Sequence, residues 1–319
     1  MATSNILRRA FLYVPSSSPK FLQKSHALTV DTVVYDLEDS VTTSQKPQAR
    51  TNLQSFLSQP RPPNITELAV RINAVSTGLA LDDLTSVLAS KHIDALAVPK
   101  ISKASDLHFI NDVLRHQLPT RHPSTPDAAS NPVKIIALIE TAEGIMNLKE
   151  ICQASPYISG LVFAAEDFAM DLSITRTPSL TEFLYARSAI VTAARAFNLP
   201  STIDLVCTKF RGEEGLETLR EECEQGRGMG FNGKQLIHPS QIEVAQRSFS
   251  PGGEELDWAV RISIGNGKAA ERGRGAWTMD GKMIDAPVVG KARAILKRAE
   301  LCGVDVGAVM EKWKDEEPQ

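Results

Sequence analysis

The chain reads as an α/β protein of the (β/α)8 barrel class, on three observations. Eight short apolar runs alternate with amphipathic stretches, the runs are rich in Val, Ile, Leu and Ala, and polar residues gather just after them. The runs predict strands over Phe11–Val14, Thr32–Leu37, Glu67–Ile72, Asp94–Val98, Lys134–Ile139, Gly160–Ala165, Ser201–Leu205 and Gly230–Ile237. Between them, helices are predicted over Lys20–Leu28, Leu79–Leu88, Lys103–Arg115, Thr181–Phe197 and Glu213–Glu224, among others. Strands separated by helices run parallel, and eight such units in roughly 240 residues fit a closed barrel better than a doubly wound sheet. No Gly-x-Gly-x-x-Gly follows a strand, which weighs against a dinucleotide-binding fold.

At 319 residues, 42% hydrophobic and 23% charged, the chain is long enough to bury a large core. A formal charge of −3 gives no basic footprint for nucleic acid or an anionic membrane. No apolar stretch approaches the ~20 residues of a membrane helix, so neither a membrane nor a nucleic acid is an expected partner. Cys152, Cys207, Cys223 and Cys302 show no CxxC spacing, as in a reduced protein. The first thirty residues hold Arg8, Arg9 and several hydroxyls but no acid, the composition of a mitochondrial presequence. A strand already opens by Ala10, so the cytoplasm is the expected compartment and the mitochondrion the alternative.

In a barrel of this class function sits where the strands end. Residues just after the runs form a polar ring: Asp36, Glu38 and Asp39; Arg71 and Asn73; Lys100; Glu140; Glu166 and Asp167; Asp204; His238. Each acid alone reads equally well as a helix cap or half of an ion pair, and Glu140 and Asp167 both precede helical stretches. Together, converging carboxylates with one arginine predict a site for a hard cation and an anion, because Mg²⁺ takes oxygen ligands from one or two carboxylates and leaves positions for substrate. After Phe249 the pattern changes. Ser250–Gly253 reads as a linker, Glu254–Gly265 as a helix, Gly273–Asp285 as a glycine-rich stretch and Val288–Leu301 as a second helix. The expected division is therefore a barrel over 1–249 and an appendage over 250–319. Gln59–Pro63 and Pro119–Pro132 read as surface loops, the second a mobile one.

These residues resemble the citrate lyase β-subunit-like branch of the HpcH/HpaI aldolase superfamily, the malyl-CoA and citramalyl-CoA lyase type. The likeness is carried almost end to end by Arg9–Pro15 (RAFLYVP), Tyr35–Val41 (YDLEDSV), Val70–Asn73 (VRIN) and Val98–Lys100 (VPK). It continues with Ile139–Gly144 (IETAEG), Ala165–Asp167 (AED), Gly233–Pro239 (GKQLIHP) and Gly281–Pro287 (GKMIDAP). It implies a TIM barrel with a C-terminal lid, and Mg²⁺, with Mn²⁺ as the alternative, held by Glu140 and Asp167. Arg71 would lie near the keto acid. The lid over 250–319 would close the active site of a neighbouring subunit in a homotrimer and contribute Asp285, which from the residues alone is only a loop acid before a helix. Glu38 and Asp39 complete the implied catalytic set, orienting metal-bound water, with a structural ion pair the competing reading. Coenzyme A, as part of the substrate, would meet Tyr13, Lys20 and Lys24. The family's frequent arginine near this helix is Ser18 here, so Lys20, hydroxyls or backbone N–H groups must carry the phosphate.

The expected activity is cleavage of (3S)-citramalyl-CoA to acetyl-CoA and pyruvate, or of malyl-CoA to acetyl-CoA and glyoxylate. Pyruvate and glyoxylate differ by one methyl, worth only ~1–3 kcal/mol in a pocket. The alternatives are the β subunit of a multienzyme citrate lyase working on carrier-bound acyl groups, a metal-dependent hydroxy-keto-acid aldolase that needs no thioester, and a non-catalytic interaction protein on the same scaffold.

Overall fold

A computed structural model describes residues 6–124 and 131–319, so part of the loop expected over Pro119–Pro132 lies outside the described residues. The chain divides into two compact units, one ending at Gln246 and one spanning Arg247–Gln319.

The first unit is a closed eight-stranded barrel in strand order one to eight. Its strands are β1 (Ala10–Pro15), β2 (Val30–Asp36), β3 (Ile65–Arg71), β4 (Ala95–Val98), β5 (Lys134–Ile139), β6 (Ile158–Phe163), β7 (Ser201–Asp204) and β8 (Gly233–Leu236). All pairings are parallel, and β1 closes the ring against β8. The connecting helices are α1 (Pro19–Ser25), α2 (Lys46–Leu57), α3 (Ala80–Val87), α4 (Ala104–Gln117), α5 (Ala142–Met146), α6 (Leu148–Gln153), α7 (Ala165–Leu172), α8 (Leu184–Ala196) and α9 (Gly212–Met229), followed by α10 (Ile242–Ser248). The eight expected strands are all present, with ends shifted by a few residues. The eighth is shorter than expected because Gly230, at φ 102°, terminates α9 before the strand begins.

Side chains alternate along each strand, and the inward set fills the barrel in layers. The middle layer is small and apolar, with Val34, Ala69, Ala97, Ile136, Val162 and Ile203 packed together. One step toward the strand starts, Glu67 takes a bidentate pair from Arg8 (2.6 and 2.7 Å) and a hydrogen bond from Thr32 (3.0 Å). Arg8 also donates to the Ser159 carbonyl (3.1 Å), so this floor is ionic and buried. One step toward the strand ends, the same alternation turns Asp36, Arg71 and Glu140 inward. Arg8→Met should lower stability by about 3–5 kcal/mol, because Glu67 would keep its buried charge with only the Thr32 hydroxyl to meet it. The double variant Arg8→Met/Glu67→Leu should recover most of that loss in urea unfolding.

The second unit contains α11 (Gly253–Glu271), a hairpin of β9 (Trp277–Met279) and β10 (Lys282–Ile284), α12 (Ala286–Leu301) and α13 (Val306–Lys312). The turn Asp280-Gly281 has positive φ at both residues (50° and 73°), as a two-residue hairpin of this hand requires. The expected helix end at Gly265 is corrected: α11 runs on to Glu271. The glycine there is a packing gap, since a Cβ on it would stand 2.3 Å from the Trp277 ring. Trp277, Ile284, Val260 and Leu296 share this unit's apolar core.

Candidate active site

The upper layer is built around Arg71. Its Nε and Nη2 donate to the two oxygens of Asp36, both at 2.7 Å, across strands whose register sets the two residues side by side. Asp36 also accepts from the Glu38 and Ser40 backbone N–H groups (2.9 and 3.1 Å). Four donors saturate its oxygens, and although burial opposes ionisation, the Arg71 guanidinium holds its carboxyl below the usual range. Asp36 is therefore the clamp of Arg71 and has no lone pair left for a metal. The remaining nitrogen, Nη1, lies 2.8 Å from Oε2 of Glu38 and 3.5 Å from Asp39.

Beside this clamp stand three more carboxylates. Glu38 and Glu140 are buried, while Asp167 is about one-third exposed. The Lys100 ammonium lies 3.7 Å from Glu38 and 3.9 Å from Asp167. Burial, reinforced by Glu38 and Asp167, pushes the Glu140 carboxyl up from 4.5 to about 8. Burial likewise raises Glu38 to about 7, against the pull of Arg71. Lys100 itself has φ 53°, a left-handed conformation uncommon outside glycine and of the kind that functional sites retain.

Neither metal-ligand candidate is spent as a helix cap. At α5 the cap is Thr141, whose Oγ1 accepts from the Gly144 N–H at 3.0 Å. At α7 no side chain caps the helix, and Asp167 sits inside its first turn. Asp171, one turn further on, accepts from the Ala142 N–H (2.8 Å) and ties α7 to the end of β5.

The other ring members serve structure. Asp204 turns outward to Arg187 (2.7 Å) and Lys234 (3.8 Å), beneath α8 and α9. Glu166 pairs with Arg176 at 2.6 Å. Asn73 is held by Asp83 and the Leu37 carbonyl, and His238 is exposed, caps its own turn and stacks on Phe210. Tyr13, Asp36, Asp39, Arg71, Glu140 and Asp167 line one cavity of about 480 Å³. Lys20 and Lys24 lie exposed on α1, whose N-cap is Ser18. Asp285 belongs to the second unit, where it caps α12 by accepting from the Val288 N–H at 3.3 Å.

The donor set fits Mg²⁺. Among the described residues no three Asp, Glu, His or Cys side chains converge closely enough to hold an ion by themselves. A pair of carboxylates that leaves water and substrate positions is the usual Mg²⁺ arrangement. Oε2 of Glu38, buried, faces Arg71 Nη1 at 2.8 Å out of hydrogen-bond geometry, and burial together with neighbouring acids raises the Glu38 and Glu140 carboxyls. A cation there would favour their ionised forms.

Because both carboxyls are raised, the metal-free folded chain binds these protons more tightly than the unfolded chain does. That contribution to stability is complete below about pH 4.5 and is lost as pH rises through about 8. Mg²⁺ held by Glu140 would displace the proton of that carboxyl, so the Tm increase it produces should be larger at pH 8.5 than at about pH 6. A thermal melt series with and without Mg²⁺ measures this.

Residues 9–239 match the family model of the HpcH/HpaI aldolase/citrate lyases. The chain belongs to that family. A citramalyl-CoA lyase of human mitochondria is 37% identical over 90% of this chain and 84% of its own length. A (3S)-malyl-CoA thioesterase of Cereibacter sphaeroides is 35% identical, over 92% of this chain and 94% of its own. The crystal structure of CitE from Mycobacterium tuberculosis in complex with magnesium, acetoacetate and coenzyme A superposes with a TM-score of 0.72 at 30% identity, covering 93% of this chain and 99% of that one. Family membership agrees with the closed parallel barrel expected from the residues and with the lyase class implied by the resemblance. No helix among the described residues is long and apolar enough to cross a membrane.

Proposed function

We propose that this family member is a Mg²⁺-dependent acyl-CoA lyase that cleaves (3S)-citramalyl-CoA to acetyl-CoA and pyruvate, with malyl-CoA as the competing substrate. The observation that carries the reading is the juxtaposition of Glu140 and Asp167 with a clamped Arg71 in one cavity at the strand ends. The citramalyl-CoA lyase relative and the magnesium and coenzyme A complex of the CitE relative support it.

Glu140 and Asp167 would hold the ion, which when bound supplies Lewis-acid polarisation of the substrate's hydroxyl or keto oxygen. Arg71 Nη1 donates to the carboxylate of the acid half and to its oxygen, which carries alkoxide charge before the C–C bond breaks and regains it in condensation. Glu38 and Asp39 orient water around the ion and hold Nη1 between turnovers. The hydroxyl gives up its proton to water held by Glu38 and Asp39 as the C–C bond breaks, and the thioester enolate left behind needs one proton at carbon to become acetyl-CoA. Glu140 and Asp167 would hold the metal, and Asp36 holds Arg71. Following the family resemblance, we assign the proton to Asp285, carried by the second unit of a neighbouring copy in a homotrimer. In condensation the same carboxylate removes that proton from the acetyl methyl. Lys20 and Lys24, as flexible cations on α1, suit the coenzyme phosphates.

The test is product release from the purified chain with (3S)-citramalyl-CoA and malyl-CoA, with Mg²⁺ and with EDTA. Metal-dependent acetyl-CoA with pyruvate from the first substrate is expected. Cleavage of neither thioester by a folded, metal-binding chain would move the activity to carrier-bound acyl groups or to free hydroxy-keto acids. Free CoA with intact malate would mean thioester hydrolysis instead.

A further inference from the structure

We propose that Gln235 is a positioning residue for Arg71, acting through the phenol of Tyr13. The proposal rests on the lyase reading for its kinetic consequence, though not for its structural one. Gln235 pairs in register with Phe11 on β1, so both turn into the barrel, and Gln235 is buried there. Its Nε2 donates to the carbonyls of Phe163 (2.9 Å) and Asp204 (3.3 Å), at the ends of β6 and β7. Turning the amide over would set its oxygen against two carbonyl oxygens, so the orientation is fixed by its surroundings. Oε1 must then accept, and the Tyr13 hydroxyl donates to it at 2.9 Å.

That bond fixes the Tyr13 ring at its far end, while the edge-on packing of Phe11, centroids 5.5 Å apart, fixes it at the near end. The ring in turn underlies the Arg71 guanidinium, whose carbon stands 4.6 Å from the ring centroid. Asp36 holds the guanidinium in its plane, and Tyr13 supports its face. The result is a single direction for Nη1, the nitrogen that Asp36 does not occupy. Tyr13 thus serves the acid half of the substrate rather than the coenzyme, and Gln235 links it to β6 and β7.

Two variants test this. Gln235→Leu removes the acceptor and both donors, and Tyr13→Phe removes only the hydroxyl and keeps the ring. In each, Arg71 should react about threefold faster with an arginine-selective dicarbonyl, read by peptide mapping, while Arg8 on the barrel floor stays unchanged. The inhibition constant for pyruvate should rise about tenfold with that for free CoA unaltered, and the double variant should be no worse than the weaker single one. An unchanged Arg71 rate in Tyr13→Phe overturns the proposal, as does an equal increase at Arg8, which would mean general loosening. Gln235→Leu is the more disruptive of the two because it strands two carbonyls, so Tyr13→Phe decides if it does not fold. Should the parent chain cleave neither thioester, the lyase reading fails while the reactivity of Arg71 still decides this one.

Discussion

Glu140→Gln should lose about 10³-fold in kcat while the metal-free protein melts no lower than the parent. The first expectation follows from losing one of the two carboxylates proposed to hold the ion, and with it roughly 4 kcal/mol of transition-state stabilisation. The second follows from the direction of the Glu140 shift. Burial and the neighbouring Glu38 and Asp167 oppose its ionisation, so a neutral amide of the same shape removes a repulsion. The Mg²⁺-induced rise in Tm should vanish in the same variant. Retention of that rise together with activity would exclude Glu140 from the metal. Loss of stability without loss of the metal response would make it a structural acid instead.

Asp285→Asn should reduce turnover by about 10²- to 10⁴-fold without weakening the fold. Asparagine caps a helix as well as aspartate does, so the bond from the Val288 N–H survives, whereas alanine would cost about 1 kcal/mol and confuse the two roles. The readout nearest the chemistry is exchange of the acetyl-CoA methyl protons into deuterated water, which the parent should catalyse with Mg²⁺ and the variant should not. If the proton comes from a neighbouring copy, mixing Asp285→Asn with Glu140→Gln and allowing subunits to exchange should restore part of the activity. No recovery after exchange has been verified would place both groups in one copy or exclude the acid.

Much of this was legible because strands alternate. Arg71 and Glu140 each stand two residues beyond an apolar inward residue of their own run, Ala69 and Leu138, so their direction follows from the sequence once the runs are recognised. Asp36 was visible as a ring member, but its task was not. It becomes a clamp only through the register of β2 against β3, which the whole barrel sets. Asp204 looked like a site acid and is instead paired outward, because Arg187 and Lys234 reach it from a helix and from the next strand. The left-handed backbone of Lys100 has no local signal, since only tertiary contacts can hold a lysine there. Gln235 did leave a trace, as a polar residue at an inward step of β8. A lone glutamine carries no chemistry until its partners are known.

The ionic floor of the barrel bears on any survey of variants made in cells. Arg8 and Glu67 touch no substrate, yet their single replacements should deplete the folded pool, and the cell's proteases would turn that into vanishing enzyme. Such a survey would score these two positions beside Glu140 as indispensable. Dividing each rate by the abundance of its variant would separate them, restoring Arg8 and Glu67 to the scaffold and leaving Glu140 with the catalyst.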